Sequence, residues 1–292
     1  MGESWGSNGM ELIFDANMNA YTDYDLRETL KSVGACDCNI LFVHSDVMFG
    51  TLAKGLKRKE YLQCLYDALA SNNVEHIVVP SFTYSFCNNE VFDVRNSRTS
   101  MGALNEYIRC LDGRYRTEDP LLSLSVPDKL KSSFLELGNH SLGENSAFDR
   151  LHGMSDVKFL FLGARLGNCF TYVHYIEKMN DVEYRFDLPF TGTMIDEQGC
   201  ERQMTQYIHT ACYGVKAGDY YYFEDELVER GLLKKSSFGN GTISCIGEKE
   251  AYSAIESKLS ENIFYFLEKP YTKEDLIHKY TMGQNGERIT HC

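Results

Sequence analysis

The chain has 292 residues, enough for one large domain or two small ones. Its 43% hydrophobic and 24% charged residues, with only 5 Pro and 23 Gly, are ordinary globular composition and exclude collagen-like and low-complexity architectures. Lys plus Arg is 29 and Asp plus Glu is 42, so the net charge of −13 argues against general nucleic-acid binding, which needs clustered cations, and suits a cationic substrate.

Residues 1–25 show little periodicity and read as an N-terminal extension, leaving residues 26–292 as a single domain. Met1 to Glu11 has neither a basic nor an apolar signal segment, and no apolar run approaches 18 residues. A cytoplasmic protein with no membrane association is expected. Asp25 to Leu30 can begin a short helix. Ile40 to His44 is a compact apolar run, read as a buried strand ending in the polar loop Ser45-Asp46-Val47-Met48-Phe49-Gly50-Thr51. Tyr61, Leu62, Leu65 and Leu69 recur at helical spacing. His76 to Pro80 is a second strand, running into the aromatic loop Ser81 to Phe86. Met101 to Leu111 is helical and closes at Asp112-Gly113. Val157 to Gly163 is a third strand, and Thr171 to Met179 the helix after it. Further helices are expected at 224–233 and 248–267, with another at 271–280. Strands alternating with helices predict an α/β fold, a layered mixed sheet with flanking helices. The 10 cysteines show no CxxC pair, so neither a zinc ribbon nor a disulfide framework is expected, and the thiols are read as reduced.

Several short segments carry chemistry. On the helix over 171–179, Thr171, His174 and Glu177 share one face. A histidine steered by a carboxylate is what a general base requires, although such a pair also occurs on ordinary surface helices. Polar groups at the end of the first strand can hold an anion, or can simply form a turn and helix cap. Lys54, Lys57, Arg58 and Lys59 can meet phosphates or make a solvated face.

Taken in order, these segments resemble a known family, the aminoglycoside 3-N-acetyltransferases or antibiotic N-acetyltransferases. The resemblance rests on Val43-His44-Ser45-Asp46, Pro80-Ser81-Phe82-Thr83, and Gly102-Ala103-Leu104 with Glu106 and Arg109. It continues through Arg116 with Pro120 and Ser123, His140 with Gly143 to Ser146, Phe161-Leu162-Gly163, and Thr171 with His174 and Glu177. It spans about residues 40–180. It implies an acyl-coenzyme A-dependent N-acyltransferase with an antibiotic N-acetyltransferase-like fold and no metal. His174 is then the base and Glu177 its orienting partner. The resemblance places His44, Ser45, Asp46, Gly50, Thr51, Arg116 and Ser123 along coenzyme A. Thr83, Tyr84, Thr171 and Tyr172 face the amino sugar. A backbone N–H group, or the hydroxyl of Ser45 or Thr171, would stabilise the oxyanion.

The sequence departs from that family at Phe170 and Tyr172, where drug-modifying members carry Asn and Thr, and at Thr117 and Asp119, which replace Ser and His. Bulk beside His174 shifts the expected acceptor to a nucleotide-linked deoxy-amino sugar. Among the 17 Phe and 19 Tyr, Tyr84, Phe86 and Tyr172 are placed to stack on it. An aminoglycoside is the alternative, with Glu224 to Glu226, Asp181 and Glu183 as candidate acidic walls. More distant alternatives are a metal hydrolase using His174, Glu177 and His44 or Asp46, a non-catalytic coenzyme A-binding protein, and a nucleophilic Cys169.

Overall fold

The computed structural model describes residues 9–282 and 288–289. The chain opens with β1 (Glu11–Phe14), β2 (Ala20–Thr22), α1 (Asp23–Ser32), β3 (Cys38–Ser45), β4 (Thr51–Leu52), α2 (Arg58–Ala70) and β5 (Val74–Pro80). It continues through β6 (Phe92–Asp93), α3 (Ala103–Arg109), β7 (Arg114–Arg116), β8 (Leu124–Pro127), α4 (Ala147–His152) and β9 (Val157–Leu162). Then come α5 (Leu166–Cys169), α6 (Tyr172–Met179), β10 (Arg185–Ile195), β11 (Glu201–Ala211) and α7 (Tyr221–Glu229). The last elements are β12 (Lys234–Phe238), β13 (Gly241–Gly247), α8 (Glu248–Glu261), β14 (Thr281–Met282) and β15 (Arg288–Ile289).

A seven-stranded sheet in the order β12-β13-β9-β3-β5-β8-β7 organises the molecule. β3 runs parallel to β5 and β9, and the outer strands are antiparallel. The central strands are nearly continuous apolar runs because both faces are covered. Alternate residues therefore enter different cores. Ile40, Phe42, Phe159 and Phe161 face the layer containing Leu151, Val173, Ile176 and Ile255 of α4, α6 and α8. Leu41, Val43, Leu160 and Leu162 face Leu26, Leu30, Leu65 and Leu104 of α1, α2 and α3. Each fully buried side chain of this size stabilises the fold by about 1.5–3 kcal/mol relative to exposure. The result is the layered α/β architecture that the sequence predicts, and the alternation puts His44, in phase with Phe42, on the α6 side of the sheet.

Three expectations are corrected. The boundary at residue 25 falls inside α1, and Leu12 and Ile13 of the supposed extension are core residues. The helix expected at 271–280 is only a short 3-10 turn, Lys273–Asp275. The 248–267 helix stops at Glu261, where Asn262 takes an extended conformation. β10 and β11 form a long antiparallel hairpin, paired from Arg185↔Ala211 to Ile195↔Glu201, and β10 also pairs with β6. Most of its positions are half-exposed, and although Phe186, Leu188, Phe190 and Met194 alternate, Pro189 and Gly192 within the run are residues that weaken a strand signal.

One glycine fixes how the strand ends meet. Gly163, just after β9, has φ +77°, and a Cβ there would lie 1.8 Å from the Asp46 carbonyl oxygen. Gly163→Ala is expected to destabilise the protein by on the order of 2 kcal/mol or more. An unchanged melting temperature would contradict this close approach.

Candidate active site

The ends of β3, β5 and β9 open on one cleft of about 960 Å³, bordered also by the starts of α2 and α3, by α5, by the start of α6, and by residues 217–220. The C-terminal ends of parallel strands are where open α/β sheets ordinarily bind ligands. A smaller cavity of about 450 Å³ at the start of α8 contains none of the residues expected from the sequence to contact substrates.

His174 borders the cleft with 27% of its side chain exposed. It sits in the first turns of α6, where its backbone N–H donates to the Thr171 carbonyl at 2.9 Å. Its Nδ1 lies 2.7 Å from Glu177 Oε2. Glu177 is completely buried. Its other oxygen accepts from the Tyr184 hydroxyl at 2.8 Å. Arg185 Nε lies 2.6 Å from Oε2, an ion pair lying off the N–H axis rather than an aligned hydrogen bond. Burial alone would push the Glu177 carboxyl up, but Arg185, then His174 and Tyr184, outweigh it and hold it down at about 2. Glu177 is therefore a fixed carboxylate. It selects the tautomer with the proton on Nδ1, leaving Nε2 as a lone-pair acceptor. Burial lowers the His174 pKa from the ordinary histidine value, Arg185 lowers it further, and Glu177 opposes both. The imidazole is thus neutral at neutral pH.

A second cluster adjoins this one. Asp187 accepts from Lys178 Nζ at 2.7 Å and pairs with His209 Nδ1 at 2.9 Å, while His140 Nδ1 lies 3.3 Å away. Arg185 links the clusters by donating to the His209 carbonyl at 3.3 Å.

The strand-end loop divides. His44, Ser45 and Asp46 border the cleft, whereas Gly50 and Thr51 turn away to pair with β1 at Phe14. The Ser45 hydroxyl donates to Asn105 Oδ1 at 2.7 Å, and Asn105 donates to the Pro80 carbonyl at 3.1 Å. Asp46 is exposed and accepts from the Met48 N–H. Arg116 and Ser123 do not reach the cleft. The buried Arg116 guanidinium donates to the Ser123 hydroxyl, the Ser97 carbonyl and the Ser81 carbonyl, at 3.0, 2.5 and 2.5 Å. These two residues brace the turn behind Pro80 and Phe82.

On the expected acceptor side, Tyr84 and Thr171 border the cleft, but Thr83 and Tyr172 do not. The Thr83 hydroxyl is spent on the Pro120 carbonyl at 3.0 Å. Tyr172 is wholly enclosed; its hydroxyl donates to Glu248, and its ring packs on Phe148, Phe159 and Tyr175. It therefore cannot narrow the space beside His174. Phe170 does border the cleft, packed edge-on against Phe159 and Phe161.

The other candidates have other duties. Glu224 is buried and holds Arg165 at 3.0 Å and Lys235 at 2.6 Å. Glu226 pairs with Lys258 and Arg230, and Glu183 accepts from Tyr271. Of the basic run, only Arg58 borders the cleft. Cys169 is on the cleft wall, but burial, with a smaller push from Glu224, raises its thiol to about 12, so it is not a thiolate nucleophile. The Glu177 oxygens are already engaged by His174, Tyr184 and Arg185, so Glu177 is not free to serve as a metal ligand.

A neutral histidine on a cleft of this volume at the strand ends places a proton acceptor beside a ligand-sized space. The profile of the aminoglycoside 3-N-acetyltransferase family matches residues 42–260, and this chain belongs to that family. It is an N-acetyltransferase by that membership. Among solved structures it is similar to the aminoglycoside acetyltransferase AAC(3)-IVa apoenzyme, with 19% identity, TM-score 0.68, and coverage of 92% of this chain and 97% of that one. AAC-IIIb in its binary complex with CoASH is 18% identical, with TM-score 0.67 and coverage of 86% and 99%. AAC-VIa bound to sisomicin is 19% identical, with TM-score 0.68 and coverage of 82% and 98%. Among curated proteins, none matches this chain.

Sequence reasoning missed Tyr184 and Arg185, because their role exists only once the start of β10 docks beside α6. It also missed Arg165 and Tyr220 on the cleft wall. Arg185→Met is expected to move the His174 imidazole titration to higher pH, since a cation that disfavours the imidazolium is gone. Arg185→Lys should largely restore the original value. Imidazole NMR titration reads this directly, and an unmoved or downward-shifted resonance in folded Arg185→Met protein would contradict it.

Proposed function

We propose that this enzyme transfers an acetyl group from acetyl-coenzyme A to a primary amine of an aminoglycoside-type amino sugar, with His174 as general base. The observation that carries this reading is the His174 imidazole. Its Nδ1 is fixed on an enclosed carboxylate and the rest of the ring borders the cleft. The neutral Nε2 takes a proton from the amine as nitrogen attacks the thioester carbonyl. Glu177 touches no substrate; it sets the tautomer and stabilises the imidazolium that forms. The thioester is already activated, so no covalent enzyme intermediate is required.

Arg58 and Arg165 are the guanidinium groups on the cleft border, suited to the phosphates of coenzyme A. Arg165 is held by Glu224 and lies 4.2 Å over the Tyr221 ring. His44, Ser45 and Asp46 line the same cleft and are assigned to the donor, while Tyr84 and Thr171 are assigned to the acceptor.

The aminoglycoside acceptor is favoured over the nucleotide-linked amino sugar expected from the sequence. That expectation leaned on Phe170 and Tyr172 together; Tyr172 lies in the core, and only Phe170 borders the cleft. The net charge of −13 attracts a polycation and repels a sugar diphosphate. The exposed carboxylate of Asp219 on the cleft border suits an ammonium group. The structural relatives include an enzyme bound to sisomicin and another in complex with a gentamicin.

An acceptor screen with acetyl-coenzyme A, followed by thiol release, tests the reading. Turnover of gentamicin- or sisomicin-type amines is expected, with much lower kcat/KM for nucleotide-linked amino sugars; the reverse order would overturn the acceptor assignment. His174→Ala should lower turnover by roughly 10²–10⁴-fold while coenzyme A still binds. With chemistry rate-limiting, kcat should rise with pH through a group below the ordinary histidine range and then level off. The sign follows from His174, which must lose its proton to act and whose pKa is lowered. Cys169→Ser should retain turnover and show no change in burst kinetics; loss of an initial burst would instead indicate an acyl-enzyme.

A further inference from the structure

We propose that His44 donates a hydrogen bond to the thioester carbonyl oxygen of the acyl donor and stabilises the oxyanion that forms on it. This rests on the acyltransfer reading above and adds to it a second histidine with a role opposite to that of His174.

His44 is 6% exposed, and it borders the reaction cleft. Among the described residues neither of its ring nitrogens has a hydrogen-bond partner, and neither is a fully enclosed atom. Three aromatic rings hold the imidazole in place. It stacks on Phe161 with centroids 5.2 Å apart and planes at 6°, and it meets Phe42 at 5.1 Å and Phe170 at 6.2 Å. A polar ring so enclosed ordinarily finds a partner. Here the open side is the cleft, so the partner is a ligand.

The surroundings decide what the ring can do. Among the described residues no carboxylate pairs with it, and one face stacks on Phe161 while Phe42 and Phe170 meet it at an angle. Burial holds it neutral by pushing its pKa down to about 3. Such a ring is a poor base but keeps one N–H donor across the working pH range. The hydroxyl of Ser45, the neighbouring candidate, already donates to Asn105. As the amine attacks the thioester, negative charge develops on the carbonyl oxygen of the donor. A preorganised neutral donor in a water-poor site is most effective there.

In the step, the amine nitrogen bonds to the thioester carbon and the C=O π pair moves to oxygen, which accepts the His44 N–H bond without taking its proton. His174 Nε2 takes the amine proton. The pair on oxygen then re-forms the carbonyl, the C–S bond breaks, and the departing sulfur receives the proton from His174. Amide and free coenzyme A thiol result.

Three substitutions and one spectrum test this. His44→Phe preserves a ring for stacking but removes the donor, and kcat should fall roughly 10²–10³-fold. Binding of coenzyme A itself, which has no thioester carbonyl, should be unchanged by calorimetry. The pH at which activity rises should also stay, because that limb belongs to His174. His44→Gln, which restores an N–H donor, should recover part of the loss, whereas His44→Leu should not. His44→Phe turnover within threefold of wild type, or a loss matched by equally weakened coenzyme A binding, would overturn the proposal. For wild-type protein, acetonyl-coenzyme A, which keeps a ketone in place of the thioester, should shift the His44 N–H resonance relative to coenzyme A alone. An unshifted resonance would overturn the proposal even if the variants fail to fold. A wild-type protein that acetylates no amine would sink the acyltransfer reading, whereas the resonance reports on His44 separately.

Discussion

A carboxylate with no exposed surface sits behind the cleft, and the chemistry of the site depends on keeping it charged. Isolated in the interior, Glu177 would take up a proton, because burying an unpaired ion costs far more than shifting its pKa. Three groups prevent this: the Arg185 guanidinium, the His174 imidazole and the Tyr184 hydroxyl. They come from two elements, α6 and the start of β10 with its preceding turn. The pairing therefore also fixes where α6 meets the long β10-β11 hairpin. The same geometry that balances the charge points His174 at the cleft in one tautomer.

Arg185 keeps Glu177 from over-stabilising the imidazolium. A carboxylate alone would raise the histidine pKa, and much of the base would then be protonated at neutral pH. With the guanidinium in contact with the same oxygen, the imidazole stays neutral yet remains oriented. His44 shows the other limit, a ring with no carboxylate at all, held neutral by aromatic walls. The two histidines lie on the same cleft in opposite electrostatic settings, which suits one to accept a proton and the other to donate a hydrogen bond.

The core strands were legible in the sequence because they are buried on both faces and short. Ile40 to His44, His76 to Pro80 and Val157 to Gly163 each mark a central strand, and the family resemblance rests largely on the loops and helices at their C-terminal ends. His174 and Glu177 were legible because helical spacing places them together without any tertiary information. The groups that depend on tertiary docking were not. Arg185 opens β10 and Tyr184 precedes it, and nothing in their local sequence pattern shows that they meet Glu177 of α6. Tyr172 lies close to His174 in sequence and was read as a substrate platform, yet helix geometry turns it into the core toward Glu248. Arg116 and Ser123 match a family motif, but their partners are backbone carbonyls behind the cleft. A motif shows that a residue is needed, not whether it faces a ligand or braces the wall.

The most direct test of the central claim is the pH dependence of acetyl transfer by Glu177→Gln, at saturating acetyl-coenzyme A and with an aminoglycoside acceptor. Gln keeps the shape but removes the charge that fixes the Nδ1 proton and favours the imidazolium. The account predicts at least a roughly 10²-fold loss of turnover with coenzyme A binding intact, as for other carboxylates that orient a catalytic histidine. The remaining activity should rise at lower pH than in the wild type, because Glu177 raises the His174 pKa. Wild-type turnover with an unshifted profile would contradict the account.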